Sequence, residues 1–128
     1  LGAEGILMGS RMVSSEESPV HDNWKQAIID AAETDTVFLN RHTSPSLRAL
    51  RTERSEALEF DMETNAMTAL IGTTQDLYFG GDMNASLALA GQVVGRIDEI
   101  QPVSQIISDC AEECLEILEQ LAAQYSNE

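Results

Sequence analysis

Gly9 and Ser10 are the pair in this chain best suited to holding an anion. They follow Ile6-Leu7-Met8, an apolar run bounded by Gly5 and Gly9 that reads as a short, fully buried strand ending in a glycine turn. A helix start follows at Ser14-Ser15-Glu16-Glu17, where Ser14 and Glu17 have capping-box spacing. A strand that stops on Gly-Ser and feeds a helix can cradle a phosphate. Glycine lets the backbone approach closely, and free N–H groups with a hydroxyl supply donors. The same residues also fit an ordinary strand-ending turn with an exposed hydroxyl, and motifs this short specify function loosely.

The other residues with chemical potential have plainer readings. Arg48, Arg51 and Arg54 stand three apart, which on a helix places them on one side. Such a row can clamp an anion, but in an acidic chain it is expected to pair with Glu53, Glu56 and Glu59. His21 and His42 are lone histidines, and no Ser/His/Asp grouping or G-x-S-x-G elbow accompanies them, so no catalytic residue is assigned. Cys110 and Cys114 lie one helical turn apart with no histidine beside them. Two ligands on one helix cannot fill a tetrahedral site, so no metal is expected and both read as reduced, partly buried thiols of a cytoplasmic protein. Glu16, Glu17 and the acids near the C-terminus read as capping and solvated residues.

These residues must be positioned by a largely helical frame. Asp22 or Asn23 can cap a helix running to about Glu33, with Trp24, Ala27, Ile28 and Ala31 on one face. Thr34 to Leu39 is β-prone and reads as extended. Ser44-Pro45 opens a further helix whose apolar stripe starts at Leu47 and Leu50 and continues through Ala57 and Leu58; a second helical stretch spans Glu59 to Leu70. Gly72 to Gly81 is turn-rich. Asp82 caps a helix from Met83 to about Ile97, in which Gly91 and Gly95 have the spacing that lets two helices approach. A glycine within a helix costs roughly 1 kcal/mol against alanine and so has a packing or functional reason. Pro102 sits in the first turn of a last helix ending near Tyr125, with Val103, Ile106, Ile107, Cys110, Cys114, Ile117, Leu118 and Leu121 on one stripe. The tail Ser126-Asn127-Glu128 is expected to fray.

Seven Lys and Arg against 22 Asp and Glu give a net charge of −15. Such a surface repels phosphate backbones and anionic lipid, so no nucleic acid and no membrane partner is expected. The acidity reads as a solubility or salt-adaptation feature, with which a single lysine, Lys25, is consistent. The longest small, apolar stretch, Ala85 to Gly95, is shorter than the roughly 20 residues a membrane span needs. No signal peptide is legible.

The wording of the chain resembles the end of the barrel in nitronate monooxygenases, formerly 2-nitropropane dioxygenases. Leu1-Gly2-Ala3, Met8-Gly9-Ser10-Arg11-Met12, Glu17-Ser18, His21 and Lys25 follow that family's L-G-A-x-x-x-x-M-G-[TS]-R-[FM] and E-[SC]-x-x-H-x-x-x-K pattern. Thr34-Asp35-Thr36, Arg48-Ala49-Leu50-Arg51, Gly81-Asp82-Met83 and Ala90-Gly91-Gln92-Val93-Val94-Gly95-Arg96-Ile97-Asp98 follow in the family's order. Flavin-type enoyl-acyl-carrier-protein reductases share much of this pattern.

The resemblance implies an α/β fold, the C-terminal fragment of a (β/α)8 TIM barrel, since 128 residues fall short of the about 250 such a barrel uses. The expected form is mostly helical with one strand, Ile6-Leu7-Met8, as the last of the barrel, plus an appended helical segment. Residues 1–33 would be that strand and its helix, 34–101 a helical lid over the barrel face, and 102–128 the C-terminal helix. The remainder of the barrel, with the family's active-site histidine and its other phosphate turn, is expected upstream of Leu1. The implied cofactor is FMN, with Met8, Gly9 and Ser10 at its phosphate and Ala90, Gly91 and Gln92 near its ring. The implied reaction is oxidation of an alkyl nitronate by dioxygen to a carbonyl compound and nitrite. This chain alone is expected to be inactive. A flavin-dependent enoyl or NAD(P)H:quinone reductase on the same barrel is the near alternative. A non-catalytic acidic helical module that binds a partner through an apolar groove is the distant one. The partners expected are a small nitronate-like molecule, the upstream barrel, and a second copy in a homo-oligomer.

Overall fold

The computed structural model describes residues 3–70 and 73–125. The elements in chain order are α1 (Ser10–Val13), α2 (Asp22–Ile29), β1 (Thr36–Leu39), β2 (Leu47–Leu50), α3 (Glu53–Glu59), a 3-10 turn (Ala66–Leu70), α4 (Thr74–Tyr78), a second 3-10 turn (Gln92–Arg96) and α5 (Val103–Tyr125). The expectation of a frayed tail at 126–128 lies outside the described residues, as do Leu1, Gly2, Ile71 and Gly72.

The expected first strand does not form. Residues 3–8 adopt no regular secondary structure and pair with no strand, and Ile6 and Leu7 are 70% and 100% exposed rather than buried. A strand is a property of a pair, and among the described residues none lies beside this segment to satisfy its N–H and C=O groups.

The sheet that does form is an antiparallel hairpin: β1 falls in the stretch Thr34 to Leu39 read as extended, while β2 falls in a stretch expected to be helical. Val37 sits opposite Ala49 and Leu39 opposite Leu47. Leu47 and Leu50, read from their spacing as one helical stripe, instead face opposite sides of β2 by the two-residue alternation of a strand. Leu47 and Ala49 join Val37, Leu39, Ala66, Ala69 and Leu87 in one core, while Leu50 joins Val20, Trp24, Ile28, Leu77, Ala88, Ala90, Val94 and Ile97 in the other. Ser44-Pro45 lies in the connecting turn rather than opening a helix. Asn40, at φ 59°, closes that turn by donating to Pro45 O at 2.8 Å and accepting from Ala66 N at 2.7 Å.

The stretch Met83 to Ile97 is likewise not one helix; only Gln92–Arg96 at its end winds, as the second 3-10 turn. Its backbone at Ala88–Ala90 lies along β2: Leu50 N donates to Ala88 O at 2.8 Å, Ala90 N donates to Arg48 O at 3.2 Å, and Ala49 bridges Leu89. A helix there would forfeit these bonds. Asp82 accepts from Asn84 N in a local turn instead of capping a helix. Gly95 does mark a close approach, but to the backbone of Glu33 rather than to a second helix.

Three helical expectations are shortened. α2 ends at Ile29 and is capped by His21, whose Nδ1 accepts from Asn23 N at 3.1 Å, not by Asp22 or Asn23. The helix expected to run from the Ser44-Pro45 start is only α3, opened by a reciprocal box in which Thr52 Oγ1 accepts from Ser55 N and Ser55 Oγ accepts from Thr52 N. The stretch from Glu59 to Leu70 breaks at Asp61, whose carboxylate accepts from the backbone of Glu63 and Thr64. α5 forms as expected, from Val103, directly after Pro102, to Tyr125, but of its apolar stripe only Ile106 is buried.

Candidate functional site: the Gly9–Ser10 turn and the Gly91 segment

The turn that follows residues 3–8 begins α1. Gly9 O accepts from Met12 N at 2.9 Å and from Val13 N at 3.2 Å, which folds the next four residues into a single helical turn. Gly9 is exposed, and a methyl group added there would meet nothing within 4 Å, so its face is open to an incoming group. Met8 beside it is half-buried.

Ser10 is buried, and its hydroxyl oxygen accepts from Gly91 N at 2.9 Å. The two motif segments are thereby joined across the chain. A serine hydroxyl has one hydrogen to give as well as lone pairs to accept with. Among the described residues the Ser10 hydroxyl hydrogen has no acceptor, and the amides of Ser10 and Arg11 donate to no backbone or side-chain oxygen. One turn therefore carries three unspent donors beside an open glycine, a set that fits an anionic oxygen.

The other residues named from sequence are placed as follows. Ala90 is buried in the core with Trp24 and Val94. Gly91 is tied to Ser10, and Gln92 begins the second 3-10 turn with its side chain exposed. Of that trio, Gly91 reaches the turn at Ser10 by hydrogen bond and Gln92 is open to solvent. The second 3-10 turn packs on both α1 and α2.

Arg11 was not singled out from the sequence, and it locks the site. Its guanidinium donates to Glu99 O at 2.6 Å and to Gln101 Oε1, strapping the segment before α5 onto α1. A polar cleft of about 330 Å³ opens there, lined by Met8, Arg11, Arg96 and Gln101 among others. Lys25 was read from charge balance and as a pattern position, without a contact; it is buried and donates from Nζ to Glu16 O at 3.1 Å, fixing the loop after α1 onto α2. The signal for both was their place in the G-S-R and H-x-x-x-K patterns, which marks position without revealing the bond made.

The arginine row is dispersed. Arg48 donates to Thr36 Oγ1 and lies over the Phe38 ring, Arg51 pairs with Glu56 at 3.2 Å and Glu59 at 3.3 Å, and Arg54 donates to Ala69 O. The expected pairing with glutamates holds at Arg51, and Arg41 adds a contact to Glu59 at 3.6 Å. Three side chains, on β2, on the link after it and on α3, each turned to its own partner, form no clamp. His21 serves as a helix cap and presses its ring on Gly81, while His42 is exposed in the hairpin turn. Cys110 and Cys114 are free thiols, as expected, but only Cys110 is partly buried and Cys114 is exposed. Among the described residues no cluster of three or more His, Cys, Asp or Glu is arranged to hold a metal, and no helix is long and apolar enough to cross a membrane.

Comparison with known proteins supplies a frame for this geometry. A sequence profile of the nitronate monooxygenase family matches residues 1–113. A protein described as a probable nitronate monooxygenase from Staphylococcus haemolyticus is 34% identical over 59 residues, 46% of this chain and 16% of the relative. One of the same description from Staphylococcus saprophyticus is 42% identical over 53 residues, 41% of this chain and 15% of the relative. The fold superposes on FabK from Thermotoga maritima with a TM-score of 0.86 and 36% identity, covering 96% of this chain and 40% of that one. A variant of the same FabK gives 0.81, with 96% and 38% covered.

Proposed function

Because the chain belongs to the nitronate monooxygenase family, we propose that it supplies part of the cofactor site of an FMN-dependent barrel oxidoreductase. The observation that carries this reading is the Ser10–Gly91 hydrogen bond, which joins the two motif segments and leaves a donor-rich turn beside an open glycine. In this reading Gly9 and Ser10, with Met8 alongside, hold the phosphate, and Gly91 and Gln92 edge the ring. Ala90 supports them from the core. When bound, the flavin supplies the electron transfer, and the protein's part is to place and tune it.

The reaction proposed is oxidation of an alkyl nitronate by dioxygen to a carbonyl compound and nitrite. The chain spans about two fifths of the FabK chain on which it superposes, so the acid–base residue of the reaction is proposed to come from the rest of the barrel. Neither His21 nor His42 is placed to serve. The superposition on FabK over 96% of this chain gives weight to the second reading, a flavin-dependent enoyl or quinone reductase on the same frame. The test is made on the longest open frame containing this chain. Visible absorbance of the purified protein reports bound flavin. Nitrite release from a small alkyl nitronate is then compared with consumption of a reduced nicotinamide nucleotide in the presence of an enoyl or quinone acceptor. Nitrite release selects the first reading, nicotinamide consumption the second, and absence of flavin rejects both.

A further inference from the structure

One stretch, residues 10–17, reaches both the donor-rich turn and the start of α5. Arg11 joins the two within a single residue. Its amide is one of the turn's unspent donors, while its guanidinium donates to Glu99 O at 2.6 Å and to Gln101 Oε1. Farther along, Glu16 N donates to Gln101 O at 3.0 Å, and both carboxylate oxygens of Glu17 accept from Val103 N, at 3.1 and 2.9 Å. Val103 opens α5, so its amide has no acceptor within the helix. Glu17, whose spacing suits a capping box with Ser14, thus caps a helix 86 positions away, with its charge at the positive end of that helix.

These bonds carry more than an ordinary cap does. Of the 23 residues of α5, Ile106 alone is buried, so apolar contact within this chain holds little of the helix. Gln101 extends the grip, since its Nε2 donates to Asp109 Oδ2 at 3.3 Å in the second turn of α5. The stretch between the anion turn and the cap is itself pinned. Ser14 and Ser15 are buried, and their hydroxyls donate to Arg11 O at 3.0 Å and Met12 O at 2.8 Å. Lys25 Nζ holds Glu16 O at 3.1 Å. A shift at the start of α5 is therefore passed on to the Arg11 amide rather than absorbed by the loop. We propose that Arg11 and Glu17 are positioning residues of the anion turn: they hold it and the first turn of α5 in one fixed relation, so that filling the turn and seating α5 favour one another. The proposal rests on the cofactor reading above. Coupling of this kind is reciprocal, and each event strengthens the other by the same factor.

The experiment uses the longest open frame containing this chain, with FMN as the probe. FMN affinity is read by fluorescence titration, and hydrogen exchange is followed by mass spectrometry in peptides spanning the starts of α5 and α3. Glu17→Ala should weaken FMN binding about fivefold or more. Saturating FMN should slow exchange at Val103 to Ile106 of the parent by that same factor. It should leave the start of α3 unchanged, since that helix is capped locally by Thr52 and Ser55. Glu17→Gln keeps an acceptor for Val103 N and should recover most of the affinity, while Arg11→Ala should lose it as Glu17→Ala does. A Glu17→Ala protein that binds FMN as tightly as the parent overturns the coupling and leaves the flavin reading standing. FMN that binds the parent without slowing exchange at Val103 to Ile106 also overturns it, and that measurement needs no variant to fold. A parent protein that binds no FMN overturns the flavin reading and the proposal with it.

Discussion

Ser10 Oγ accepts a hydrogen bond from Gly91 N at 2.9 Å, joining residues 81 positions apart. The bond spends the hydroxyl's oxygen and leaves its hydrogen. In the proposed reading, stability and cofactor retention therefore meet in one side chain. Ser10→Ala should leave the Gly91 amide without its acceptor and cost about 1–2 kcal/mol in chemical denaturation. In the complete protein it should also weaken flavin affinity. If denaturation is unchanged, the bond contributes nothing in solution.

Gly9→Val separates folding from binding. Nothing lies within 4 Å of the added carbon, and φ at Gly9 is −108°, in the range open to any residue. The unfolding midpoint should move by no more than about 0.5 kcal/mol in equivalent free energy. Flavin titration of the complete protein should show retention lost. Full retention would remove Gly9 from the site.

The two glycines of the expected helix-packing pair should behave differently. A carbon added at Gly95 would sit 2.5 Å from Glu33 Cα, against backbone that cannot swing aside. Gly95→Ala should cost about 1–3 kcal/mol. At Gly91 the nearest atom is Ser10 Oγ at 3.8 Å, and Gly91→Ala keeps the amide. Its effect on urea unfolding should be small, and equal losses at the two positions would contradict the packing described.

His21→Ala should remove the side-chain acceptor that caps α2 and cost about 0.5–2 kcal/mol. His21→Asn, which also accepts at this position, should recover most of that loss. Thermal unfolding of the three proteins decides between capping and mere bulk.

Asp61 sets a pH dependence in the loop before the first 3-10 turn. The Thr64 hydroxyl, followed by the backbone N–H groups of Thr64 and Glu63, holds its carboxyl down from 3.8 to about 2. A carboxylate depressed in the folded state adds stability above its unfolded value and loses it as pH falls through the folded one. The loop should stay closed above pH about 4 and loosen between about 4 and 2. Carboxyl-carbon NMR titration of Asp61 should show the low midpoint, and Thr64→Val should raise it. A midpoint near 4 in the parent protein would count against these bonds.

What the sequence made legible depended on how local its cause was. Pro102 and the stripe beyond it specify α5 from within, and Thr34 to Leu39 showed its β tendency through Thr36, Val37 and Phe38. The hairpin was not legible because Leu47 and Leu50 satisfy a helical spacing by coincidence, while the strand pairing depends on Val37 and Leu39, twelve residues before Ala49 and eight before Leu47. Ala88–Ala90 gave no sign of lying along β2, since small residues carry little pattern of either period. Ile6-Leu7-Met8 reads as buried because it is apolar, but burial needs a partner surface that the described residues do not provide. At the site, the Gly9-Ser10 and Ala90-Gly91-Gln92 segments were each recognisable by wording. Their junction was not, because nothing in either segment encodes the distance to the other.

Ala49 and Leu50 are adjacent in the chain yet serve different cores. The order of residues along β2 thus acts as a phase. Inserting one residue before Ala49 would put the inserted side chain in the space that fits alanine, leave alanine where leucine belongs and push leucine past the end of the strand, damaging both cores with a single event. The turns at 41–46 and 61–64 carry no such phase. Length variation across natural relatives should therefore collect in those turns and be nearly absent from four residues at the centre, a record that counting gaps in related sequences would read directly.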